Sequence, residues 1–275
     1  MKSNFNWDIY QHAIKNLTQK YNIQQANLLV FQSLDSTNKK IWDITEEKYP
    51  LAVVALQQTS GKGQWGKVWQ SSLGGLYLSV ALECNLHIDN SFHLVMATAE
   101  GVANLLREYQ LPVTIKWSND LILQSYKLGG IKIETKAVDN VIKKAVVGIG
   151  INWCNSVPEV GINIKSYYQQ NNKSNSNKPS FINQKNITSL EELTAIAIAG
   201  ILNGYNNYLK LGINYTHNQY QQLLNSIGKQ TQINNYQGII QGVTKQGKLI
   251  VSLQSPGAST KVYVSPGEIS LGYES

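Results

Sequence analysis

Between two strand-like segments the sequence reads Gln57-Gln-Thr-Ser-Gly-Lys-Gly-Gln-Trp-Gly-Lys-Val-Trp69. Within it, Gly61-x-Gly63-x-x-Gly66 matches the dinucleotide-binding fingerprint, and Glu83 follows at a suitable distance. That fingerprint must open a helix, whereas Ser71-Ser-Leu-Gly-Gly75 breaks the chain and an alternating strand follows. The pattern therefore argues against a Rossmann domain. The missing Gly-Lys-Ser/Thr ending argues equally against a P-loop.

What remains is a glycine-rich loop with positive charge and aromatic rings. Glycines let backbone N–H groups approach an anion closely, lysines add charge, and a tryptophan can stack on a flat ring system. The alternative is an ordinary solvated turn in which Trp65 and Trp69 are core residues. We expect residues 60–68 to be mobile without a ligand and to close when one binds, because ordering them costs conformational entropy.

The surrounding periodicity predicts an α+β domain with a mixed sheet. Helices are expected over residues 7–21, 35–43, 92–109 and 188 to about 211, the last one opened by a capping box at 188–191. Strands are expected at 51–56, 76–82, 114–117, 121–123, 131–135 and 145–151. Residues 166–186 are rich in Asn, Ser, Gln and Lys and predict a mobile loop.

The C-terminal part of the chain changes character. Four short β-type stretches at 230–233, 237–243, 248–253 and 261–264 are separated by Gly, Pro and Asn turns. They predict a small all-β domain that leans on the larger one, since so short a chain is near the lower limit for independent folding. We therefore expect two domains, residues 1–225 and 226–275, the second being an SH3-like β-barrel.

The composition limits the classes of partner. The chain has 275 residues, a net charge of +7 and a single arginine, Arg107. Because arginine is the preferred side chain for bidentate base contacts, its scarcity argues against DNA readout. No run of 18 apolar residues occurs, so no membrane span is expected. Cys84 and Cys154 form no disulfide framework, which favours a reducing cytoplasm.

Four further motifs could each be structural when taken alone. Asp35-Ser-Thr-Asn38 reads as a helix cap, and Lys116-Trp-Ser-Asn-Asp-Leu121 with Lys127-Leu-Gly-Gly-Ile131 reads as a hairpin with surface lysines. Val147-Gly-Ile-Gly-Ile-Asn152 is a strand whose glycines permit either close approach of a ligand or tight packing. Their functional reading depends on the combination.

Taken in this order with the glycine-rich loop, these motifs resemble the biotin–protein ligase family over residues 33–155. The resemblance implies ATP with Mg²⁺ and biotin as substrates, no tightly bound prosthetic group, and a biotin carboxyl carrier protein of acetyl-CoA carboxylase as acceptor. It implies a catalytic role for Lys127 and Asp120. It also implies a biotin-binding set of Ser36, Thr37, Asn38, Gln58, Lys62, Gly63, Gln64 and Lys127, and an ATP-binding set of Lys67, Trp69, Lys116, Asn119 and Asn152.

The chain departs from the family pattern in its loop. Lys62, Gln64 and Lys67 stand where the family usually carries arginine, so the bidentate fork is lost and Gln64 also loses the charge. Ser118 replaces a usual proline. Only 35 residues precede Ser36, too few for a helix-turn-helix domain of the usual kind. We therefore expect a ligase without repressor function and without a DNA partner; a homodimer is compatible with the resemblance.

The expected chemistry joins two anions, because a carboxylate must attack the α-phosphorus of ATP. Cations must offset the repulsion. Lys127 is the residue expected to supply positive charge from the protein, and Mg²⁺ is expected mainly on the ATP phosphates. Asp120 is the candidate for metal contact or for accepting a proton from the acceptor lysine. Two alternatives stay open at this point: a lipoate–protein ligase or octanoyl transferase, and a non-enzymatic sensor of biotin or nucleotide.

Overall fold

The computed structural model describes residues 5–44, 48–174, 185–255, 258–269 and 271–272. Its helices are α1 (Trp7–Tyr21), α2 (Thr37–Asp43), α3 (Ser91–Arg107), α4 (Ile164–Ser174) and α5 (Leu190–Leu223). Its strands are β1 (Asn27–Phe31), β2 (Leu51–Ala55), β3 (Gly75–His87), β4 (Val113–Lys116), β5 (Asp120–Leu123), β6 (Tyr126–Val138), β7 (Val141–Asn152), β8 (Gln230–Ile233), β9 (Tyr236–Val243), β10 (Leu249–Ser255) and β11 (Ala258–Val264). The expected α+β class is confirmed.

The larger sheet has seven strands in the order β1-β2-β3-β7-β6-β5-β4. β1 and β2 pair in parallel, and the remaining neighbours pair antiparallel. Side chains alternate between the faces. Ala52 and Val54 join the main core with α1, α3 and α5, whereas Leu51 and Val53 pack with Ile41 of α2. One face of the sheet is thus covered by α1, α3 and α5. On the other face, α2 covers only a part.

Helices α3 and α5 approach each other closely on the covered face. A Cβ at Gly101 would overlap the carbonyl oxygen of Gly200, and one at Gly204 would overlap that of Ala97. Small residues at these positions let the two backbones pack at short distance, as they do in other close helix pairs. This packing fixes the helical layer beneath the sheet and leaves the opposite face available for a site.

A smaller antiparallel sheet, in the order β11-β10-β9-β8, forms the C-terminal part. It is held against the larger part by polar contacts: Trp117 Nε1 donates to the Gly247 carbonyl at 2.9 Å, and His217 Nε2 lies 2.8 Å from the Val243 carbonyl. Ile240, Val243 and other residues of this sheet belong to the main core. The expected small all-β region is confirmed. The boundary at residue 225 stays a prediction; it falls between the end of α5 and the start of β8.

Two expectations for residues 164–223 were wrong in part. Residues 166–174 lie in helix α4, not in a loop, because Ile164 and Tyr167 are buried at helical spacing and the Tyr168 hydroxyl donates to the Tyr109 carbonyl at 2.7 Å. Residues 175–184 of the expected loop lie outside the described residues. The last helix continues to Leu223 across a kink at Gly212, whose φ is 76°.

The N-terminus of α5 is capped one residue later than expected. Ser189 is the N-cap and accepts from the Glu192 backbone N–H at 3.1 Å, while the Glu192 carboxylate accepts from the Thr188 N–H at 2.9 Å. Across the described parts of the chain, no helix is long and apolar enough to cross a membrane.

Candidate active site

The candidate site lies on the sheet face opposite α3 and α5. Register places Lys116, Asp120, Gly130 and Gly150 side by side on four neighbouring strands, from the edge strand β4 inward to β7. Their neighbours one position away, such as Ile115, lie in the main core. Alternation along each strand therefore turns this row towards the second face. Two adjoining cavities open above it.

The smaller cavity, of about 70 Å³, lies over β3, β7 and β6. Its lining contains eight residues predicted to contact biotin: Ser36, Thr37, Asn38, Gln58, Lys62, Gly63, Gln64 and Lys127. The motif that could have been only a helix cap thus lies at this cavity, and the Ser36 N-cap makes no side-chain capping bond. The residues are brought together; their contact with biotin stays a prediction.

A hydrogen-bond chain fixes the polar wall of the small cavity. Gln58 Oε1 accepts from the Thr37 backbone N–H at 2.8 Å and from its hydroxyl at 3.2 Å. Gln58 Nε2 donates to the Ser71 hydroxyl at 2.9 Å, and Ser71 donates to the Trp69 carbonyl at 2.9 Å. Because both ends of the Gln58 amide are used, this residue holds the start of α2 and the end of the glycine-rich loop in one arrangement.

Ser79 of β3 belongs to the same wall and was missed in the sequence. It is fully buried, and its hydroxyl lies 2.7 Å from Thr37 Oγ1 and 2.6 Å from Asn38 Oδ1. A lone serine inside the apolar run Leu76–Leu82 was the available signal, since an unpaired hydroxyl there would be costly. Ser79 orients the two side chains that face the cavity.

The glycines of β6 and β7 make room for side chains of the protein itself. A Cβ at Gly150 would overlap the indole of Trp69, and a Cβ at Gly148 would overlap the amide of Asn38. Gly130, paired with Gly150, lies beneath the same indole. These glycines therefore permit tight packing of the protein's own side chains; close approach of a ligand to them, at the small cavity that they also line, stays a prediction. Trp69 Nε1 is buried and has no hydrogen-bond partner among the described residues.

The larger cavity, of about 600 Å³, adjoins the first on the side of β4 and β5. All five residues predicted to contact ATP line it: Lys67, Trp69, Lys116, Asn119 and Asn152. Asn119 Nδ2 donates to the Ile131 carbonyl at 2.8 Å, and Asn152 Nδ2 donates to the Lys127 carbonyl at 3.3 Å. These amides thus tie the lining to the strand that carries Lys127. The volume is in the range of ligand cavities, and nucleotide contact stays a prediction.

Asp120 and Lys127 stand on the wall that the two cavities share. Lys127 Nζ lies 2.8 Å from Asp120 Oδ1 and 5.2 Å from the centroid of the Trp69 ring. The side chain of Asp120 is 16% exposed and that of Lys127 is 25% exposed, so a ligand in either cavity can reach both. The backbone of Lys127 is held by a bond from its N–H to the Val160 carbonyl at 2.8 Å. The two predicted catalytic residues are therefore adjacent and fixed.

Lys116 is the buried cation of the larger cavity. Its side chain is 8% exposed. Burial lowers the pKa of Lys116 from 10.5 to about 8; Asp120 opposes this lowering, and the ammonium groups of Lys127, Lys67 and Lys229 add to it. Several positive charges therefore converge around one carboxylate. Such a surplus of positive charge favours a polyanionic ligand.

The glycine-rich loop forms a tight hairpin over the cavities. Gly63 N–H donates to the Lys67 carbonyl at 2.7 Å, and Trp65 and Gly66 at its tip both have positive φ angles. Trp65 is 67% exposed and lies against Gly267 of the C-terminal part. Trp65 is therefore not the core residue that one reading of the loop allowed, whereas Trp69 packs against the sheet.

Asn155 is a second residue that the sequence reasoning missed. It lines the larger cavity, is 4% exposed, and donates through Nδ2 to Asn152 Oδ1 at 3.0 Å. The spacing of two amides three residues apart after a strand was the available signal. Its Oδ1 has no partner in the described part of the chain.

No group of three or more His, Cys, Asp or Glu side chains that could hold a metal ion occurs among the described residues. Asp120 is the carboxylate that lines both cavities. Glu268 also lines the larger cavity. So few carboxylates suit a Mg²⁺ ion that keeps most of its waters and arrives on the phosphates of a nucleotide. The residues present fit that arrangement.

Residues 30–152 match the model of the biotin/lipoate A/B protein ligase family. This range runs from β1 to the end of β7. The chain is similar to that family over this range, which contains most of the larger sheet and much of the lining of both cavities.

Individual relatives have more specific names than the family model. The chain is similar to the bifunctional ligase/repressor BirA of Bacillus subtilis (29% identical over 137 residues, 48% of this chain and 42% of that protein). It is also similar to the human biotin–protein ligase (29% over 180 residues, 60% of this chain and 24% of that protein). The match thus spans less than half the length of either relative. The biotin protein ligase of Aquifex aeolicus in complex with biotin and ATP shares the fold, with a TM-score of 0.67 at 22% identity over 89% of this chain and 97% of that one.

Proposed function

We propose that this chain is an ATP-dependent biotin–protein ligase. It would convert biotin and ATP into biotinyl-5′-AMP and pyrophosphate, and would then transfer biotin to a lysine of a carrier protein. The name of the human relative, a biotin–protein ligase, supports biotin as the substrate. The matching family model covers biotin and lipoate ligases alike, but the human relative is named for biotin.

The observation that carries the proposal is the ion pair between Lys127 and Asp120 on the wall between two unlike cavities. One cavity is small and lined by hydroxyl and amide groups, which suits the ureido ring of biotin. The other is large and lysine-rich, which suits a nucleotide with its phosphates. A reaction that joins a carboxylate to a phosphate needs its two substrates to meet at such a wall.

Lys127 would act on the first step. The biotin carboxylate and the α-phosphate are both anionic, so a fixed ammonium between them offsets their repulsion and stabilises charge that develops on the phosphate oxygens. Asp120 holds that ammonium at 2.8 Å, and Trp69 lies across it. Mg²⁺, carried by the ATP phosphates, supplies further charge neutralisation.

The second step needs a neutral amine on the acceptor lysine. Asp120 is our candidate for the group that receives its proton, because it is the carboxylate next to the reacting centre. The hairpin of residues 60–68 would exclude water from the mixed anhydride, which water would otherwise hydrolyse. The loop residues Lys62, Gly63 and Gln64 line the small cavity and would cover biotin and its adenylate.

The proposal includes the acceptor protein and the cellular compartment. The acceptor would be the biotin carboxyl carrier protein of acetyl-CoA carboxylase, in the cytoplasm, and no tightly bound prosthetic group is required. Residues 1–225 would form the catalytic unit and residues 226–275 the smaller β-domain.

Pyrophosphate release tests the proposal and separates its alternatives. The purified chain should release pyrophosphate from Mg-ATP when biotin is present, and should not when lipoate or octanoate replaces biotin. A variant of an exposed lysine on the same sheet, Lys143→Ala, serves as a control and should match the parent. Release that depends on lipoate and not on biotin would overturn the choice of substrate; binding of biotin without any release would favour the sensor.

A further inference from the structure

A lysine of strand β6 lines the small cavity beside its polar wall. Lys132 belongs to the lining, and its side chain is 27% exposed. Strand pairing aligns Lys132 with Gly148 of β7, and it aligns Gly148 in turn with Ser79 of β3. Because Lys132 is two residues from Gly130, alternation turns both towards the second face of the sheet. The lysine therefore stands in the same row as the serine that orients the polar wall.

The ammonium of Lys132 is held in place by Glu134, two residues further along β6. Lys132 Nζ lies 2.9 Å from Glu134 Oε1, and Glu134 Oε2 accepts from Trp42 Nε1 of α2 at 2.8 Å. One oxygen of the carboxylate is thus engaged by the strand and the other by the helix. Helix α2 also carries Asn38, whose amide lies over Gly148. Glu134 therefore fixes the ammonium relative to the polar wall.

The ion pair leaves the ammonium able to bind a ligand. An ammonium has three N–H donors, and the pair with Glu134 uses one of them. Lys132 lines the small cavity, whereas Glu134 is not part of its lining. The cavity side of the pair is therefore the lysine, and its carboxylate partner stands behind it.

The position of Lys132 along the cavity decides which part of a substrate it meets. Asp120 and Lys127 both lie above Gly130, within van der Waals contact of a Cβ placed there. Lys132 lies one strand repeat further, about 7 Å from Gly130 along β6. A biotin whose carboxylate reaches Lys127 therefore presents its bicyclic head, and not its carboxylate, to Lys132. The ureido oxygen is the strongest hydrogen-bond acceptor of that head.

We propose that Lys132, held by Glu134, donates a hydrogen bond to the ureido oxygen of biotin and so selects biotin over substrates with an apolar head. This inference rests on the proposed function. A urea oxygen carries partial negative charge, and a hydrogen bond from a charged donor is about twice as strong as a neutral one. The dithiolane ring of lipoate and the tail of octanoate offer no oxygen or nitrogen acceptor. Either would cover the ammonium without replacing the water that it loses, which is costly.

Calorimetric titration of the full chain with biotin, without ATP, tests the contact. Lys132→Met keeps most of the side-chain length and removes the charged donor. It should weaken biotin binding about tenfold, the contribution of one charge-assisted hydrogen bond. Lys136→Met, at an exposed position of the same strand, is the matched control and should bind as the parent does. Biotinol, in which an alcohol replaces the carboxyl group, should lose the same factor in Lys132→Met, because the contact is at the other end of the molecule.

A cationic analogue of biotin reports on the charge itself. In 2-iminobiotin an imino group replaces the ureido oxygen, and the resulting cyclic guanidine is protonated at pH 7, as the guanidinium of arginine is. The ammonium of Lys132 repels that cation, so the parent should prefer biotin over 2-iminobiotin by a larger factor than Lys132→Met does. A merely structural lysine would leave this ratio unchanged. Lys132→Gln removes the charge but keeps a hydrogen-bond partner for Glu134. It should narrow the same ratio, even where thermal unfolding shows that methionine prevents folding.

Each outcome bears on the proposal. Equal biotin affinity in the parent and Lys132→Met would overturn it. A loss for biotin that biotinol does not share would also overturn it, since the ammonium would then contact the carboxylate. Biotin binding that depends on Lys132 in a chain that releases no pyrophosphate would sink the ligase proposal and leave the ureido contact standing. Biotin-dependent release with parent-like binding in Lys132→Met has the reverse meaning, and a parent that binds no biotin overturns both.

Discussion

Replacing Lys116 with methionine should stabilise the protein and weaken the binding of ATP that we propose for the larger cavity. Lys116 is 8% exposed, and its pKa falls from 10.5 to about 8, mainly because of burial. A lowering of this size corresponds to about 3 kcal/mol. Methionine keeps most of the side-chain length and removes the charge, so the free energy of unfolding at pH 7 should rise by up to about 3 kcal/mol.

The dependence on pH has a definite sign. The pKa of Lys116 is lower in the folded chain than in the unfolded chain, so between about pH 8 and pH 10.5 the unfolded chain binds more protons. Stability contributed by this group therefore rises with pH across that window and is lowest, and constant, below pH 8. The advantage of Lys116→Met over the parent should be largest at pH 7 and should shrink as pH rises towards 10.

Urea denaturation at pH 7 and at pH 9.5 measures both effects. Lys143→Met, at an exposed position of β7, is the matched control and should follow the parent at both values. The same Lys116 variant should bind ATP more weakly, because it removes a cation from the cavity proposed to bind the nucleotide. A Lys116→Met protein that is less stable than the parent at pH 7, with the control neutral, would refute the argument from burial.

Three substitutions and one digestion test the wall between the two cavities, the strand beneath the Trp69 indole and the glycine-rich loop. Lys127→Ala should lower the rate of pyrophosphate release on the order of 100-fold, with an unchanged fold. Gly150→Ala forces a methyl group into the indole above it and should cost roughly 1–3 kcal/mol of stability, whereas Gly272→Ala, with open space around it, should be neutral by thermal unfolding. Limited trypsin digestion should cut at Lys62 in the free protein, and the adenylate should protect this bond more than biotin does. Gln64→Arg should slow dissociation of the adenylate, since it adds a cation to the loop.

Each of these expectations has a contrary result. Parent-like release from Lys127→Ala would remove that residue from the first step. A Gly150→Ala protein as stable as Gly272→Ala would mean that the indole yields without cost. Cleavage at Lys62 that no ligand changes would end the closing-loop hypothesis. An unaltered dissociation rate in Gln64→Arg would contradict only the argument from charge.

The strands and the polar residues at their ends were predictable because each is encoded in a short, continuous stretch of sequence. Strand β2 ends one residue before the expected end, and β3 begins one residue early but continues five residues beyond its expected end. The glycine-rich loop between them is visible in the sequence alone. The fourteen residues expected at the site all line one of two adjoining cavities, because each motif ends or flanks a strand of one sheet. Their assignment to biotin or to ATP remains a prediction.

What escaped prediction depends on distance in the chain or on misleading composition. Helix α4 was hidden by its many Asn, Gln and Ser residues, although Ile164 and Tyr167 have the helical spacing that buries them. Lys229 is more than a hundred residues from Lys116, so only the packing of the C-terminal sheet brings the two ammonium groups close enough to act on each other. The glycines of β7 were ambiguous for a different reason: the sequence cannot say whether a ligand or Trp69 fills the space above Gly150.

The most direct test of the account is transfer of biotin to a purified biotin carboxyl carrier domain, followed by intact mass. With this chain, Mg-ATP and biotin, the carrier should gain the mass of one biotinyl group on a single lysine, and it should gain nothing when ATP is omitted or when lipoate replaces biotin. A carrier that stays unmodified while a known biotin–protein ligase labels it under the same conditions would contradict the central claim.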